Sequence, residues 1–248
     1  MALQTRLLIV NGDDFGLSAG VNAGVIEAHE RGIVTSASLM VRWPEATQAA
    51  AYARNHSSLS VGLHVDLGEW TFIEEEWRQA YEVVPLDNPE LVSMEIARQF
   101  EMFRKLMGRD PTHLDSHQHV HHSEPVASIL REVARKAGIV LRDTQPEVAY
   151  CGDFYGQASK GYPYPEGISV EGLLRVLQKL PSGCTELGCH PGKGTDMGGM
   201  YCREREIEYA TLCDPRVREV LNSEGIVLCS FSNWRELLRY SDNRGNGG

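Results

Sequence analysis

Histidines are concentrated in one segment of this chain, with a spacing suited to metal chemistry. Five of the nine histidines lie within residues 113–122, in the sequence HLDSHQHVHH. Imidazole is a common metal ligand and the side chain that titrates most readily near neutral pH, so this crowding indicates a metal or proton-transfer site. A solvated, histidine-rich turn is the competing interpretation.

The other candidate residues follow predicted β-strands. Asp13 and Asp14 come directly after the first predicted strand, and later strands close on His64, His117, Arg142 and His190. Barrel enzymes assemble their sites where the carboxyl ends of parallel strands converge on one mouth. The Asp pair alone would equally suit a turn that ends a strand. Because candidate residues occur at the ends of several separate strands, a functional site is favoured over a simple turn.

The residue types at these strand ends suit a catalytic metal. One aspartate and two histidines give three ligands and leave open positions for water and substrate. Neighbouring carboxylates on a strand point in different directions, so one can bind the metal while the other takes a proton from water. A histidine on the opposite side can protonate a departing amine. The His-x-His of amidohydrolases and the Asp-x-Asp-x-Thr of aspartyl-phosphate phosphatases do not occur at the first strand.

Apolar runs alternate with helical patterns along most of the chain, which predicts a parallel α/β sheet that is either closed into a barrel or doubly wound. Predicted strands cover residues 7–10, 34–40, 60–65, 112–115, 138–141, 184–188 and 226–230. Predicted helices cover residues 18–31, 44–55, 89–107, 123–137, 169–180 and 204–221, with a break at Pro215. Residues 68–90 and 143–168 are expected to be long excursions from this scaffold.

Composition limits the function classes. A chain of 248 residues with 42% hydrophobic content can form one domain, which we place at 1–240, followed by a disordered tail at 241–248. The net charge of −10 argues against nucleic acid or an anionic membrane as the partner. No dinucleotide fingerprint or phosphate-binding loop follows a strand.

The sequence also gives expectations about the cellular compartment and the oligomeric state of the protein. Residues 1–6 lead into the first strand without the pattern of a secretion signal, and the six cysteines contain no Cys-x-x-Cys pair. We therefore expect a cytoplasmic protein with reduced thiols. A homodimer is the default expectation, because dimers are the commonest closed assembly.

Five segments together resemble the YdjC-like carbohydrate deacetylases, a family that includes chitooligosaccharide and hopanoid-associated deacetylases. They are NGDDFGLS at residues 11–18, GIVTS at 32–36, GLH at 62–64, PTHLDSHQHVH at 111–121 and CHPG at 189–192. The match runs in order from residue 7 to about residue 230. Gly12 departs from the alanine usual in the family, residues 65–70 lack its Asn/Thr pattern, and the region 70–90 is short.

The resemblance implies a distorted TIM-like (β/α) barrel that uses one divalent metal ion, Mg or Zn, to deacetylate a small N-acetylated sugar or glycoconjugate. Two imidazoles and a carboxylate suit Zn, Co, Ni, Fe or Mn, whereas family structures often carry Mg. The implied roles are as follows: Asp14, His64 and His117 as metal ligands, Asp13 as general base, His190 as general acid, and Arg142 and Asp115 as orienting residues.

The placement of candidate residues at strand ends also assigns different roles to the histidines of residues 113–122. Only His117 is expected to bind the metal. His119 and His121 share its face if the segment stays extended, and would then contact substrate or support the ligands. His113 is assigned to the barrel wall and His122 to the loop.

Two rival functions use the same residues: a metal-barrel esterase or phosphoesterase, and a non-catalytic sugar-binding protein. The latter needs no base, so the presence of both aspartates speaks against it. Aromatic residues in the two excursions are candidates either for stacking on sugar rings or for packing their own loops. They are Trp70, Phe72, Tyr155, Tyr162 and Tyr164.

Overall fold

The computed structural model describes residues 5–194, 196 and 201–245 of the chain. Strands and helices alternate, as the apolar runs predict. The strands are β1 (Arg6–Phe15), β2 (Ser36–Leu39), β3 (Ser60–Val65), β4 (Gly68–Ile73), β5 (Glu76–Glu82), β6 (His113–Ser116), β7 (Val140–Leu141), β8 (Val148–Cys151), β9 (Gly183–Cys189) and β10 (Ile226–Cys229). The α-helices are α1 (Ala19–Glu30), α2 (Ala46–Asn55), α3 (Pro89–Met107), α4 (Val126–Ala137), α5 (Val170–Gln178), α6 (Cys202–Leu212), α7 (Pro215–Ser223) and α8 (Trp234–Gly245).

One parallel sheet carries the fold. Its strands follow the order β7-β6-β3-β2-β1-β9-β8, and β10 pairs with the first half of β1. Helices pack against the sheet, as α1 does on β1 and α3 on β3. The sheet forms a half-barrel with β7 and β8 at its two ends, which confirms the predicted α/β barrel class.

Alternation along β1 explains how an apolar core and a polar site share one barrel. Leu8 and Val10 belong to the large core between sheet and helices. Leu7 and Ile9 point the other way, into a smaller cluster with Phe231 and Trp234. Successive residues of a strand face opposite sides of the sheet, so Asn11 and Asp13 continue the face of Leu7 and Ile9 towards the carboxyl end. That face is therefore apolar at one end of the barrel and polar at the other.

The first excursion is a β-hairpin, which the sequence did not reveal. Strands β4 and β5 pair antiparallel in a separate two-stranded sheet. The turn residues Glu74 and Glu75 have φ angles of 53° and 65°. Two consecutive residues with positive φ form the tight turn whose twist matches a hairpin, although glutamate is rare there. Because the turn lacks the Asn-Gly or Asp-Gly pair typical of hairpins, the sequence pattern did not predict this hairpin.

The second excursion, over residues 143–168, contains a strand that the sequence did not reveal. Val148–Cys151 forms β8 and pairs parallel with β9. The run is four residues long, sits at the sheet edge, and is flanked by Gly-, Tyr- and Pro-rich sequence. Such a short edge strand lacks the apolar periodicity on which the prediction depended.

The carboxyl-terminal helix extends past the expected domain boundary. Helix α8 continues to Gly245, which covers part of the segment for which disorder was expected, and residues 246–248 lie outside the described residues. Leu237 and Leu238 pack against the smaller core cluster and hold the helix to the barrel. Across the described ranges, no helix is long and apolar enough to cross a membrane.

Candidate active site

The two aspartates lie within the last residues of β1, which is longer than predicted. The pairing register of β1 with β2 shifts between Gly12 and Phe15, and Asp14 adopts a left-handed φ of 62°. Non-glycine residues with positive φ are uncommon and are often found at functional sites. This local distortion separates the directions of the Asp13 and Asp14 side chains, as the sequence prediction required.

Asp14, His64 and His117 come together at the carboxyl ends of β1, β3 and β6. Each offers one ligand atom, and these atoms lie within 4.8 Å of one another. Asp14 Oδ1 lies 3.3 Å from His64 Nε2 and 3.1 Å from His117 Nδ1. The side chains of all three are largely buried.

Neighbouring side chains fix the orientation of these groups. His64 Nδ1 lies 2.8 Å from Asp115 Oδ1, and the Ser38 hydroxyl donates to Asp115 Oδ2 at 2.7 Å. Arg205 donates to Asp14 Oδ2 at 2.5 Å, so the other carboxylate oxygen faces the two histidines. Carboxylates that hold the far nitrogen of a ligating histidine are a recurring feature of protein metal sites.

This cluster has the donor set of a divalent metal site. It offers two imidazoles and one carboxylate, and their ligand atoms are close enough together to share one ion. Three protein ligands leave coordination positions open, as in catalytic sites. Asp13, His64 and Asp115 also have ligand atoms within 4.8 Å of one another. Arg142, however, already neutralises both carboxylates of this group.

Mutual attraction sets the charge states of these three groups. Burial opposes ionisation of Asp14, but Arg205 and His117 outweigh it and hold the pKa of Asp14 well below its usual range. Burial likewise disfavours imidazolium, yet Asp115 raises the pKa of His64 well above its usual value, and Asp14 raises that of His117 to about 9.

Asp13 is held from one side only. Asn11 Nδ2 and Arg142 Nη1 each donate to Asp13 Oδ1 at 2.7 Å. Asp13 Oδ2 faces His190 Nε2 at 3.8 Å. Burial raises the pKa of Asp13, but the Arg142 guanidinium together with His64 and His190 outweighs burial and lowers it. The carboxylate is therefore ionised and oriented, with Oδ2 turned to the pocket.

Arg142 is the centre of a buried charge cluster. It follows β7 at one end of the sheet and reaches Asp13, Asp115 and Glu186 on three other strands. Burial raises the pKa of Glu186 to about 8, and the Arg142 guanidinium opposes this rise. Arg142 thus links β7 to β9 through its ion pair with Glu186, and its hydrogen bond fixes the position of the Asp13 carboxylate.

His190 follows β9 on the opposite side of Asp13. Its backbone N–H donates to Glu208 Oε2, and its Nδ1 lies 3.9 Å from Glu208 Oε1. Tyr201 donates to the same Glu208 carboxylate at 2.5 Å. Burial lowers the pKa of His190, but the nearby Glu208 carboxylate outweighs burial and raises it. His190 is therefore set to carry a proton near neutral pH.

The histidine segment turns instead of staying extended, so the expectation that His119 and His121 share the face of His117 is wrong. A short 3-10 helix covers His117–His122, with Gln118 and His119 in left-handed conformations at φ 52° and 53°. His119 lines the pocket, whereas His121 is buried and bonded through Nδ1 to Ser116 Oγ. His113 packs in the barrel wall as predicted, with its ring stacked on Phe231.

A pocket of about 850 Å³ opens above these groups. Its polar floor contains Asp13, Asp14, His64, His117 and His190. Of the loop aromatics singled out in the sequence, Trp70 and Tyr155 line this pocket. Its aromatic wall also includes Trp43, Trp77, Tyr81 and Tyr150. Across the mouth, Tyr162 of the second excursion donates to Glu75 at the hairpin tip at 3.1 Å.

Sequence reasoning missed several residues of this site. Glu186 was visible as a charged residue inside the apolar run of β9, and Asn11 as an amide inside β1. Arg205 and Glu208 gave no such signal, because helix α6 is rich in charged residues and both look like solvent-facing positions. Only the packing of α6 against the barrel mouth shows that they are buried.

Acidic and imidazole groups at the carboxyl ends of barrel strands, beneath a polar and aromatic pocket, define an enzyme of the (β/α)-barrel class. The chain belongs to the YdjC-like family: the model of the YdjC-like protein family matches residues 7–223. It is 34% identical to a chitooligosaccharide deacetylase of Klebsiella pneumoniae over 255 residues, covering 91% of this chain and 98% of the relative. It is 30% identical to a carbohydrate deacetylase of Geobacillus stearothermophilus over 253 residues, covering 94% of this chain and 99% of that one.

A solved structure from Enterococcus faecalis has the same fold. It superimposes with a TM-score of 0.75 at 26% sequence identity, covering 92% of this chain and 98% of the other. The name of that protein ascribes to it the cleavage of a cellobiose phosphate. The resemblance stated from the sequence motifs is therefore confirmed by whole-chain comparisons.

Proposed function

We propose that the protein hydrolyses the acetamide of a small N-acetylated sugar and releases acetate and the free amine. The observation that carries this proposal is the juxtaposition of an oriented, ionised Asp13 with the Asp14–His64–His117 cluster on the floor of one pocket. Relatives named as chitooligosaccharide and carbohydrate deacetylases support the reaction class.

Asp14, His64 and His117 are the residues that would hold the divalent ion. When bound there, the ion supplies Lewis-acid polarisation of the acetamide carbonyl and makes water more acidic. Two imidazole donors favour an ion of the zinc class over magnesium, which prefers oxygen ligands. Arg205 and Asp115 orient Asp14 and His64, so the ligand set is held in place before an ion arrives.

Asp13 is the proposed general base. Its Oδ1 is occupied by Asn11 and Arg142, whereas Oδ2 is directed into the pocket. Because Arg142 keeps the carboxyl ionised, Oδ2 can accept a proton from the attacking water as the new carbon–oxygen bond forms.

His190 is the proposed general acid. Its Nε2 lies across from Asp13, and Glu208 favours the protonated ring. As the carbon–nitrogen bond breaks, His190 Nε2 donates a proton to the departing sugar nitrogen, so the amine leaves in neutral form. The proton that Asp13 has taken passes to His190, directly or through solvent, which regenerates both groups and completes the cycle.

The pocket suits a short sugar. Trp70, Trp77 and Tyr155 line it, and we propose that pyranose rings stack on these side chains. A volume of about 850 Å³ has room for a short N-acetylated sugar.

Two broader expectations accompany this function. A cytoplasmic location with reduced thiols stays a prediction. A homodimer stays a prediction, to be tested by the molar mass of the protein in solution.

Substrate panels distinguish this proposal from its rivals. The metal-loaded protein is incubated with di-N-acetylchitobiose, an acetyl ester and a phosphate monoester, and acetate, amine and phosphate are quantified with and without a chelator. We expect acetate and amine in equal amounts from the sugar, lost on chelation and restored by zinc. Release of phosphate alone, or binding of the sugar without any acetate, would overturn the proposal.

A further inference from the structure

A second cluster of imidazoles lies next to the proposed active site and has no part in the mechanism above. The rim cluster consists of His119, His121 and His122, each with one ligand atom within 4.8 Å of the others. The centroids of the His121 and His122 rings are 4.2 Å apart, and the His119 ring lies 5.6 Å and 5.9 Å from them. Three imidazoles at this spacing are a nitrogen donor set suited to zinc, nickel or copper.

The best ligand atom in the rim cluster is buried and unsatisfied. His121 is 2% exposed, and its Nε2 has no hydrogen-bond partner among the described residues. A buried polar atom without a partner destabilises the folded state, so such atoms in folded proteins require an explanation. A bound cation would provide the missing partner.

The surroundings of the rim cluster resemble those of ligating histidines. The other nitrogen of His121, Nδ1, lies 2.7 Å from Ser116 Oγ. One nitrogen of His122 lies 3.2 Å from the Asp143 carboxylate. Ligating histidines usually have the nitrogen remote from the metal fixed by a hydroxyl, carbonyl or carboxylate. Two of the three rings are therefore already oriented by such groups.

We propose that the rim cluster is a second metal site that binds a zinc-class transition-metal ion through His119, His121 and His122. The three rings leave a fourth position for water. An ion there would fix the turn that follows His117, and through the His122–Asp143 pair it would also link this turn to the residue after Arg142. The expected consequence is stabilisation of the wall beside the pocket. The proposal concerns ion binding and stands independently of the proposed reaction.

Zinc stoichiometry tests the proposal directly. The full chain without a histidine affinity tag is dialysed against buffered zinc, and bound zinc is measured by atomic emission together with the melting temperature. The wild type should bind two ions per chain. A His119→Gln/His122→Gln variant should bind one and lose part of the zinc-dependent rise in melting temperature. Both residues are exposed, so the double variant should fold, which far-UV circular dichroism checks.

Two further variants separate the sites. Asp14→Asn/His64→Gln should also bind one ion. With cobalt in place of zinc, this variant should show a visible absorption band. Adding His119→Gln and His122→Gln to it should remove that band. His56→Gln, a surface histidine outside both clusters, should still bind two. The proposal is overturned if the rim variant binds as many ions as the wild type, if Asp14→Asn/His64→Gln binds none, or if His56→Gln loses an ion in the same way.

Discussion

Arg142 Nη1 donates to Asp13 Oδ1 at 2.7 Å, although the two residues are 129 positions apart in the chain, with Asp13 in β1 and Arg142 directly after β7. The same guanidinium contacts Asp115, which in turn holds His64. Arg142 therefore connects the proposed base to the proposed metal ligands. Its charge keeps Asp13 ionised, and its hydrogen bond fixes which oxygen faces the pocket.

Removing this charge should change both stability and pH dependence. Arg142→Met leaves Asp13 and Asp115 buried without their cation, which should cost about 3–5 kcal/mol of unfolding free energy. Because Arg142 lowers the pKa of Asp13, its loss should move the acid limb of the kcat/KM profile to higher pH. Urea unfolding and pH–rate profiles measure the two effects. Arg135→Met, on the exposed face of α4, is the control and should leave both unchanged. An acid limb that stays in place would contradict the role of Arg142.

Glu208 should set the alkaline limb. Its carboxylate favours the protonated form of His190 and raises the pKa of that ring. In Glu208→Gln the ring loses this stabilisation, so its pKa should fall and the activity should be lost at lower pH than in the wild type. The pH dependence of kcat/KM, or NMR titration of the His190 ring, measures the shift. If His190 is the general acid, a limb that moves upwards, or does not move, is incompatible with this account.

Two glycines on the same side of the barrel should respond very differently to alanine. A Cβ at Gly24 would lie 2.4 Å from the backbone Cα of Gly192, so helix α1 could not approach the segment after His190. Gly24→Ala should cost about 1–3 kcal/mol and reduce kcat by displacing His190. A Cβ at Gly12 would lie 3.3 Å from Val25 Cγ2, a side chain that can adjust.

Gly12→Ala therefore serves as the matched control, and it restores the residue usual in the family. Its unfolding free energy should stay within about 0.5 kcal/mol of the wild type. Thermal melts and initial rates of both variants make the comparison. Equal losses in the two variants would show that the close approach of Gly24 to Gly192 is unimportant.

The aromatic wall of the pocket should contribute to sugar binding. Trp70 is 46% exposed and lines the pocket, and its backbone, not its ring, is hydrogen-bonded to Gln118. Trp70→Ala should raise KM several-fold with little change in kcat, because a stacking contact acts alike on ground state and transition state. Tyr164→Ala, an exposed aromatic that does not line the pocket, is the control. Steady-state kinetics on a short N-acetylated sugar separate the two. An unchanged KM for Trp70→Ala would remove this residue from the binding site.

Local signals made much of the fold predictable from the sequence. Strand β3 and helix α3 have the predicted bounds, because an apolar run and the Asn88 and Gly108 caps mark them. The strand-end residues also converge as predicted, since parallel strands must present their carboxyl ends on one side.

Features that depend on tertiary packing were not predictable. The left-handed conformations at Gln118 and His119 turn the histidine segment, and no residue type there announces them. Burial of Arg205 and Glu208 depends on where α6 packs, which its charged sequence does not show. The histidine segment thus contributes His117 to one cluster and three further imidazoles to another.

The most direct test of the central claim is the rate of acetate release by Asp13→Asn. Both this variant and the wild type are loaded with the same amount of zinc, and acetate from di-N-acetylchitobiose is followed over time. Asparagine keeps the shape of the side chain but cannot take a proton, so we expect acetate release to fall by about 10²–10⁴-fold while zinc content and melting behaviour stay close to wild type. Acetate release near the wild-type rate, or none from the wild type itself, would contradict a deacetylase in which Asp13 is the base.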